Sequence, residues 1–214
     1  MGAREFLIAY NINLNTTDRR YANEIAYEIR ERGRWKRVGN TEPFYYKGEV
    51  VYFGKDRFPD GNSDFVASSF GELASFYKEQ YGKDLYERYE SLGLDPDDLD
   101  GCPVYKDGRF SNLKAIGWVV EDYNCAQISI NLTDYKITPM HLAYDAACEL
   151  ADARGIAITG SEVVGVVPFD AIRESGRHYL RKMMKSTGIP VRDVMTTAVQ
   201  SLGLAVVADF DSDR

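Results

Sequence analysis

An α+β fold, an α/β sandwich with elements in the order βαββαβ, a long insertion after the first helix and two extra C-terminal helices, is predicted by three observations. Four segments alternate with the period of a strand, and amphipathic helical stripes lie between and after them. One proline-, glycine- and tyrosine-rich stretch interrupts the series.

The first strand covers residues 5–14. Phe6, Ile8, Tyr10, Ile12 and Leu14 share one face and Leu7, Ala9, Asn11, Asn13 and Asn15 the other, because strand side chains repeat every second residue. The second face therefore turns from apolar to amide halfway along. A strand that starts almost at the first residue implies a missing neighbour. Thr16, Thr17 and Asp18 can cap the helix that follows, Ala22, Ile25, Ala26 and Ile29 stripe it, and Gly33 supplies a left-handed stop. Prolines at 43, 59, 96 and 103 and frequent glycines then divide residues 34–111 into short pieces. This insertion reads as a surface excursion rather than a second core, with a helix within 71–92 and a short strand at 50–53.

Regular structure resumes as a hairpin, strands 113–121 and 125–135 around a turn at 122–124. Gln127, Ser129 and Asn131 point one way, Ile128, Ile130 and Leu132 the other. Thr138 as cap and Pro139 at the first position open a helix with the apolar face Leu142, Ala143, Ala146, Ala147, Leu150 and Ala151, stopped by Gly155. A strand at 156–167, interrupted by Gly160-Ser161-Glu162, and helices at 169–185 and 191–202 follow. The core is thus 5–33 with 112–167, the insertion 34–111, and the C-terminal helices 168–204. Without the insertion the order is the split βαβ pattern of ferredoxin-like domains, whose first and third strands lie side by side at the centre. The rows Asn11, Asn13, Asn15 and Gln127, Ser129, Asn131 would then share the face away from the helices. That face reads either as a solvated sheet surface, common in antiparallel sheets, or as a hydrogen-bonding ligand surface. Amides are poor strand formers, which shifts the balance toward function.

The 214 residues are 44% hydrophobic and 28% charged, with 26 Lys and Arg against 33 Asp and Glu and a formal net charge of −7. With a mean hydropathy of −0.37 and a pI near 5.0, this is an ordinary globular chain, long enough to bury a core. The acidic balance argues against a nucleic-acid binder, which must neutralise phosphates. No apolar run reaches the roughly 20 residues of a membrane span, and the first residues lack a signal-peptide layout. Cys102, Cys125 and Cys148 are too widely spaced for C-x-x-C and odd in number, which fits free thiols in a reducing cytoplasm.

Dinucleotide, P-loop and H-E-x-x-H motifs are absent. The acidic run at 95–101 superficially suits calcium, but Leu99 falls on a ligand position and Lys106 stands where the bidentate Glu is required, so the run reads as a solvated turn and no metal is expected. His141, in the first turn of its helix, is either a neutral base or a structural residue; His178 stands beside basic last turns. Neither has a visible partner, and no Ser/His/Asp or Cys/His arrangement can be assembled. The basic run Arg30, Arg32, Arg34, Lys36 and Arg37 reads as a helix end or as a carboxylate anchor. Glu162, bracketed by apolar strand residues, reads as a buried hydrogen-bonding support, with a strand bulge as the simpler alternative for its tripeptide.

Four runs carry a resemblance: GAREFLIAYNINLNTTDRRYANEIAYEIRERGR, KAIGWVVEDYNCAQISINLTDY, ITPMHLAYDAACELADARGIAITGSEVVGVVPFDAIRESGRHYLRK and TAVQSLGL. Outside the insertion the chain resembles the C-terminal subdomain of the formiminotransferase family, the glutamate formimidoyltransferases of histidine degradation. The resemblance implies transfer of a formimino group from N-formimino-L-glutamate to tetrahydrofolate, with folate in a tunnel between two α/β subdomains and no metal. The N-terminal subdomain, which carries the family's general-base histidine, is not matched by these residues, so no catalytic residue is assigned and the chain alone is expected to be inactive. Gly2, Ala3 and Arg4 match the end of the family's glycine-rich folate-binding segment. By the same resemblance Asn11, Asn13, Gln127, Asn131 and Glu162 face the folate tunnel or the partner subdomain, and Arg4 reaches the folate. A truncated sequence or a separately encoded half is expected, in the cytoplasm, with a homodimer among its partners. The alternative is a non-catalytic ferredoxin-like folate-binding or assembly module.

Overall fold

A computed structural model describes residues 6–39, 41 and 44–205. In chain order the main elements are strand β1 (Ile8–Leu14), helix α1 (Arg19–Ile29), helices α2 (Phe70–Tyr81) and α3 (Leu85–Ser91), strands β2 (Leu113–Val120) and β3 (Cys125–Leu132), helix α4 (Met140–Asp152), strand β4 (Ile158–Val164), and helices α5 (Phe169–Lys182) and α6 (Val191–Leu202). The chain divides into two units, residues 1–31 with 109–214 and residues 32–108.

In the first unit the four strands form one sheet in the order β4-β1-β3-β2, antiparallel throughout. The first and third strands lie side by side at its centre. One face is apolar: Ile8, Tyr10, Ile12 and Leu14 of β1 and Ile128, Ile130 and Leu132 of β3 are buried with Ala22, Ile25, Ala26 and Ile29 of α1 and Ala143, Ala147 and Leu150 of α4. Each large aliphatic side chain so buried contributes about 1.5–3 kcal/mol relative to exposure. Close packing sets two glycines. A Cβ on Gly117 of β2 would lie 2.3 Å from the backbone nitrogen of Asn23 in α1, and one on Gly176 of α5 would lie 2.1 Å from the carbonyl oxygen of Val194 in α6.

Several ends differ from the sequence expectation. Asp18 caps α1, accepting from the Arg20 N–H, but the helix stops at Ile29, short of Gly33. Helix α4 begins after Pro139, because the Thr138 hydroxyl donates to the Ser111 carbonyl at 2.5 Å rather than capping. Strand β4 runs unbroken through Gly160-Ser161-Glu162. Its register slips one place earlier, where Asn13 faces Gly160 and Leu14 faces Ile158, leaving Thr159 as the extra residue of a bulge. Helices α5 and α6 start as predicted.

Residues 32–108 are more than an excursion, which corrects the expectation. Phe53, Phe70, Leu73, Tyr77, Leu85, Tyr89, Leu99 and Val104 form a buried cluster of their own. Aromatic edges hold it, as where Phe70 meets Tyr89 at 5.8 Å and 88°. The predicted helix is two, α2 and α3, the second capped by Asp84, which accepts from the Tyr86 and Glu87 N–H groups. Strand pairing amounts to two-residue ladders, among them 37–38 with 49–50, too short to print a period on the sequence. Leu99 of the acidic run is a core residue here. Within the basic run Arg34 stacks on Tyr45 at 3.7 Å, Lys36 donates to the Asp60 carbonyl at 2.8 Å, and Arg37 donates to the carbonyls of Tyr46 and Gly48. Among the described residues no helix is long and apolar enough to cross a membrane.

Candidate functional site

The sheet face opposite α1 and α4 carries a hydrogen-bonded network to which all four strands contribute. Asn13 of β1 stands opposite Gln127 of β3, Asn11 opposite Glu162 of β4, and Gln127 opposite Trp118 of β2. Cross-strand neighbours stand close enough for short side chains to meet. The Trp118 indole N–H donates to Gln127 Oε1 at 2.7 Å. An indole only donates, so the atom it meets is the carboxamide oxygen and the Gln127 orientation follows. Gln127 Nε2 then donates to Asn13 Oδ1 at 2.7 Å and to Glu162 Oε1 at 2.8 Å. Asn11 Nδ2 donates to the same Glu162 oxygen at 3.1 Å. Gln127, Asn13 and Asn11 are 1%, 4% and 7% exposed, so these bonds form largely out of water, where an unmade one is costly.

Around this polar centre the face exposes three large apolar side chains, with the exposed Lys114 and Asn131 beside them. Ile116, Trp118 and Val164, which alternate onto the same side, are 58%, 48% and 55% exposed. A few oriented polar groups inside an uncovered apolar rim are what a ligand or partner surface presents. Where β1 ends, a pocket of about 740 Å³ opens between Asn13, Thr16, Tyr123, Cys125 and Thr159. Burial, with the Glu162 charge adding to it, pushes the Cys125 thiol above its ordinary pKa, which makes it a poor nucleophile.

Of the residues singled out from the sequence, Asn11, Asn13, Gln127 and Glu162 come together. Asn131 lies on the same face, opposite Ala9 and Lys114, but is exposed and outside the network. Asn15 leaves the row, because its Oδ1 accepts from the Ala157 N–H at 2.8 Å. Gly2, Ala3 and Arg4 lie outside the described residues. Trp118 was not foreseen. Its signal was the alternation of Lys114, Ile116 and Trp118, which points to the amide face only once the strand pairing is known.

The two histidines do have partners, contrary to the sequence reading. His141 of α4 and His178 of α5 stack at 4.2 Å and 23°. His141 Nδ1 lies 3.3 Å from Ser175 Oγ, and His178 Nε2 lies 2.8 Å from Asp145 Oδ2. Lys182 and Tyr179 also donate to Asp145, at 3.0 and 3.2 Å. Burial, with the neighbouring His178 adding, drives the His141 pKa down to about 4. Burial alone would raise Asp145, but hydrogen bonds from His178 and Lys182 outweigh it and hold this carboxyl below its ordinary value. Ser175 is fully buried and donates to the Ala171 carbonyl, so the cluster joins two helices rather than arming a nucleophile. Behind the sheet, the Tyr10 hydroxyl donates to Ser161 Oγ at 2.9 Å, and Ser161 donates to the Leu202 carbonyl. Among the described residues no three His, Cys, Asp or Glu side chains gather as metal ligands.

Residues 9–214 match the formiminotransferase domain. The formimidoyltransferase-cyclodeaminase of Dictyostelium discoideum is 28% identical over 216 residues, covering all of this chain and 27% of that protein. Its Gallus gallus counterpart is 28% identical over 181 residues, covering 85% of this chain and 21% of that protein. The glutamate formimidoyltransferase of Thermoplasma acidophilum is 37% identical over 76 residues, covering 36% of this chain and 25% of that protein. The chain thus spans about a quarter of the length of these relatives. Matched along nearly its whole length, it belongs to the formiminotransferase domain family.

Proposed function

We propose that this chain is the C-terminal, folate-binding half of a glutamate formimidoyltransferase, and that the amide-carboxylate face holds the folate against a second subdomain. The reading gives the sheet its ferredoxin-like label, with 34–111 as the insertion and 168–204 as appended helices. The observation that carries it is the network of Asn11, Asn13, Gln127, Glu162 and Trp118: directional donors and acceptors fixed before any ligand arrives, inside an exposed apolar rim. Folate asks for both, having a planar pterin rich in donors and acceptors and an aromatic middle. Arg4 and the Gly2-Ala3 backbone approach the folate in this reading, and Asn131 faces the covering subdomain.

In the transfer, the tetrahydrofolate amine attacks the formimino carbon and loses its proton to a base, while the bond to the glutamate nitrogen breaks and that nitrogen takes up a proton. This chain contributes binding and orientation, which can supply much of the rate. The base lies on the N-terminal subdomain, since His141 is buried between helices α4 and α5. Tetrahydrofolate is co-substrate, no metal takes part, and three free cysteines suit the cytoplasm. A homodimer is the further partner.

A second reading is a non-catalytic folate-binding or assembly module, favoured by the engagement of both histidines with residues of α4 and α5. Mixing the chain with the N-terminal subdomain of a relative separates the two. Formimino transfer that appears only in the mixture supports the half-enzyme. Folate binding without turnover supports the module, and neither binding nor turnover rejects both.

A further inference from the structure

We propose that Glu162 recognises an amidine-type N–C–N donor pair on the ligand that binds this face, taking it through the carboxylate oxygen that the network leaves unused. The inference rests on the folate-transfer reading, which supplies two sources of that chemistry: the 2-amino edge of the pterin and the formimino group itself.

The polarity of the network leads there. Because the Trp118 N–H can only donate, Gln127 must accept with its oxygen and donate with its nitrogen. Both carboxamide hydrogens are then engaged, one by Asn13 and one by Glu162. Asn13 accepts with its oxygen, and its amide nitrogen remains as a donor beside the pocket at the end of β1. Asn11 donates to Glu162 and retains its own carbonyl oxygen as an acceptor. Both donors reaching Glu162 converge on Oε1, and among the described residues nothing donates to Oε2. The network therefore leaves two acceptors unused, Glu162 Oε2 and Asn11 Oδ1, with one donor, Asn13 Nδ2. A carboxylate paired with N–H groups forms charge-assisted bonds, and an amidine or cyclic guanidine offers two in one plane. A ligand carboxylate or phosphate would meet the Glu162 charge and be repelled, so the anionic tail of a folate is bound elsewhere.

The test is calorimetric binding to the full chain and to Glu162→Gln, with two pairs of probes. The first pair is 5-formyltetrahydrofolate and its 2-desamino-2-methyl analogue; the second is N-formimino-L-glutamate and N-formyl-L-glutamate. The wild-type chain is expected to prefer the donor-bearing member of one pair by about 10-fold or more, and Glu162→Gln to erase that preference. The pair that responds identifies the source. The ligand-side deletion needs no variant, so a misfolded mutant does not blunt the test. If 5-formyltetrahydrofolate binds but neither pair is discriminated, or the preference survives in Glu162→Gln, the assignment to Glu162 is overturned and the folate reading stands. If neither 5-formyltetrahydrofolate nor N-formimino-L-glutamate binds, either to the chain alone or with the N-terminal subdomain of a relative added, both are overturned.

Discussion

Replacing Gln127 with leucine removes the centre of the network while nearly preserving volume. Three bonds vanish: from Trp118 at 2.7 Å, to Asn13 at 2.7 Å and to Glu162 at 2.8 Å. Two are neutral, worth about 1 kcal/mol each, and the third meets a carboxylate and is worth about 2 kcal/mol, giving a loss of about 4 kcal/mol. The half-exposed Trp118 indole can turn to water, but Asn13 Oδ1, in a side chain 4% exposed, cannot. Leucine returns about 1–2 kcal/mol through apolar burial at a site where Gln127 is 1% exposed. The expected net destabilisation is about 2–3 kcal/mol, read from urea unfolding as a lower midpoint at unchanged slope. Gln127→Glu should be worse than Gln127→Leu, since it sets a second carboxylate against Glu162 and removes both donors. A Gln127→Leu change within about 0.5 kcal/mol of wild type would refute the reasoning, because the network would then add nothing to the folded state.

Gly117→Ala should cost about 3 kcal/mol in the same assay, because the new methyl meets the α1 backbone at Asn23, which cannot yield as a side chain would. Ser161→Ala should cost about 2 kcal/mol by orphaning the fully buried Tyr10 hydroxyl. His141, held near pKa 4 against about 6.5 unfolded, makes the unfolded chain the better proton binder between those values. Stability should therefore be fully present above pH 6.5 and fall by about 3 kcal/mol on acidification to pH 4. Asp145, with its folded pKa lowered, withdraws its own share only as the pH falls further. His141→Leu should flatten the slope between pH 6.5 and 4 in urea midpoints measured across that range; an unchanged slope would place the proton uptake elsewhere.

Much of the sheet was legible because alternation is a local signal. Residues 8–14, 113–120 and 125–132 each carry their facing in their own order, and adjacency of the first and third strands put the amides of Asn11, Asn13 and Gln127 on one surface. The role of Glu162 was half visible, since a carboxylate among apolar strand residues needs donors, but which donors depends on a register that a single bulge at Thr159 sets. Trp118 entered the site through that same pairing. The core of residues 32–108 stayed hidden because its ladders are two residues long and its apolar groups come from many short pieces, so no window holds a period. The His141–His178 stack joins two helices whose approach no residue spacing announces.

Amide chemical-shift mapping of the chain during titration with 5-formyltetrahydrofolate tests most directly whether the open face of the sheet is where folate binds. Shifts concentrated on Asn11, Asn13, Trp118, Gln127 and Glu162, with the side-chain amides of the two asparagines and the glutamine and the Trp118 indole N–H moving first, are the predicted result. Saturable shifts confined to α4 and α5 around His178, or none at millimolar ligand, would contradict it.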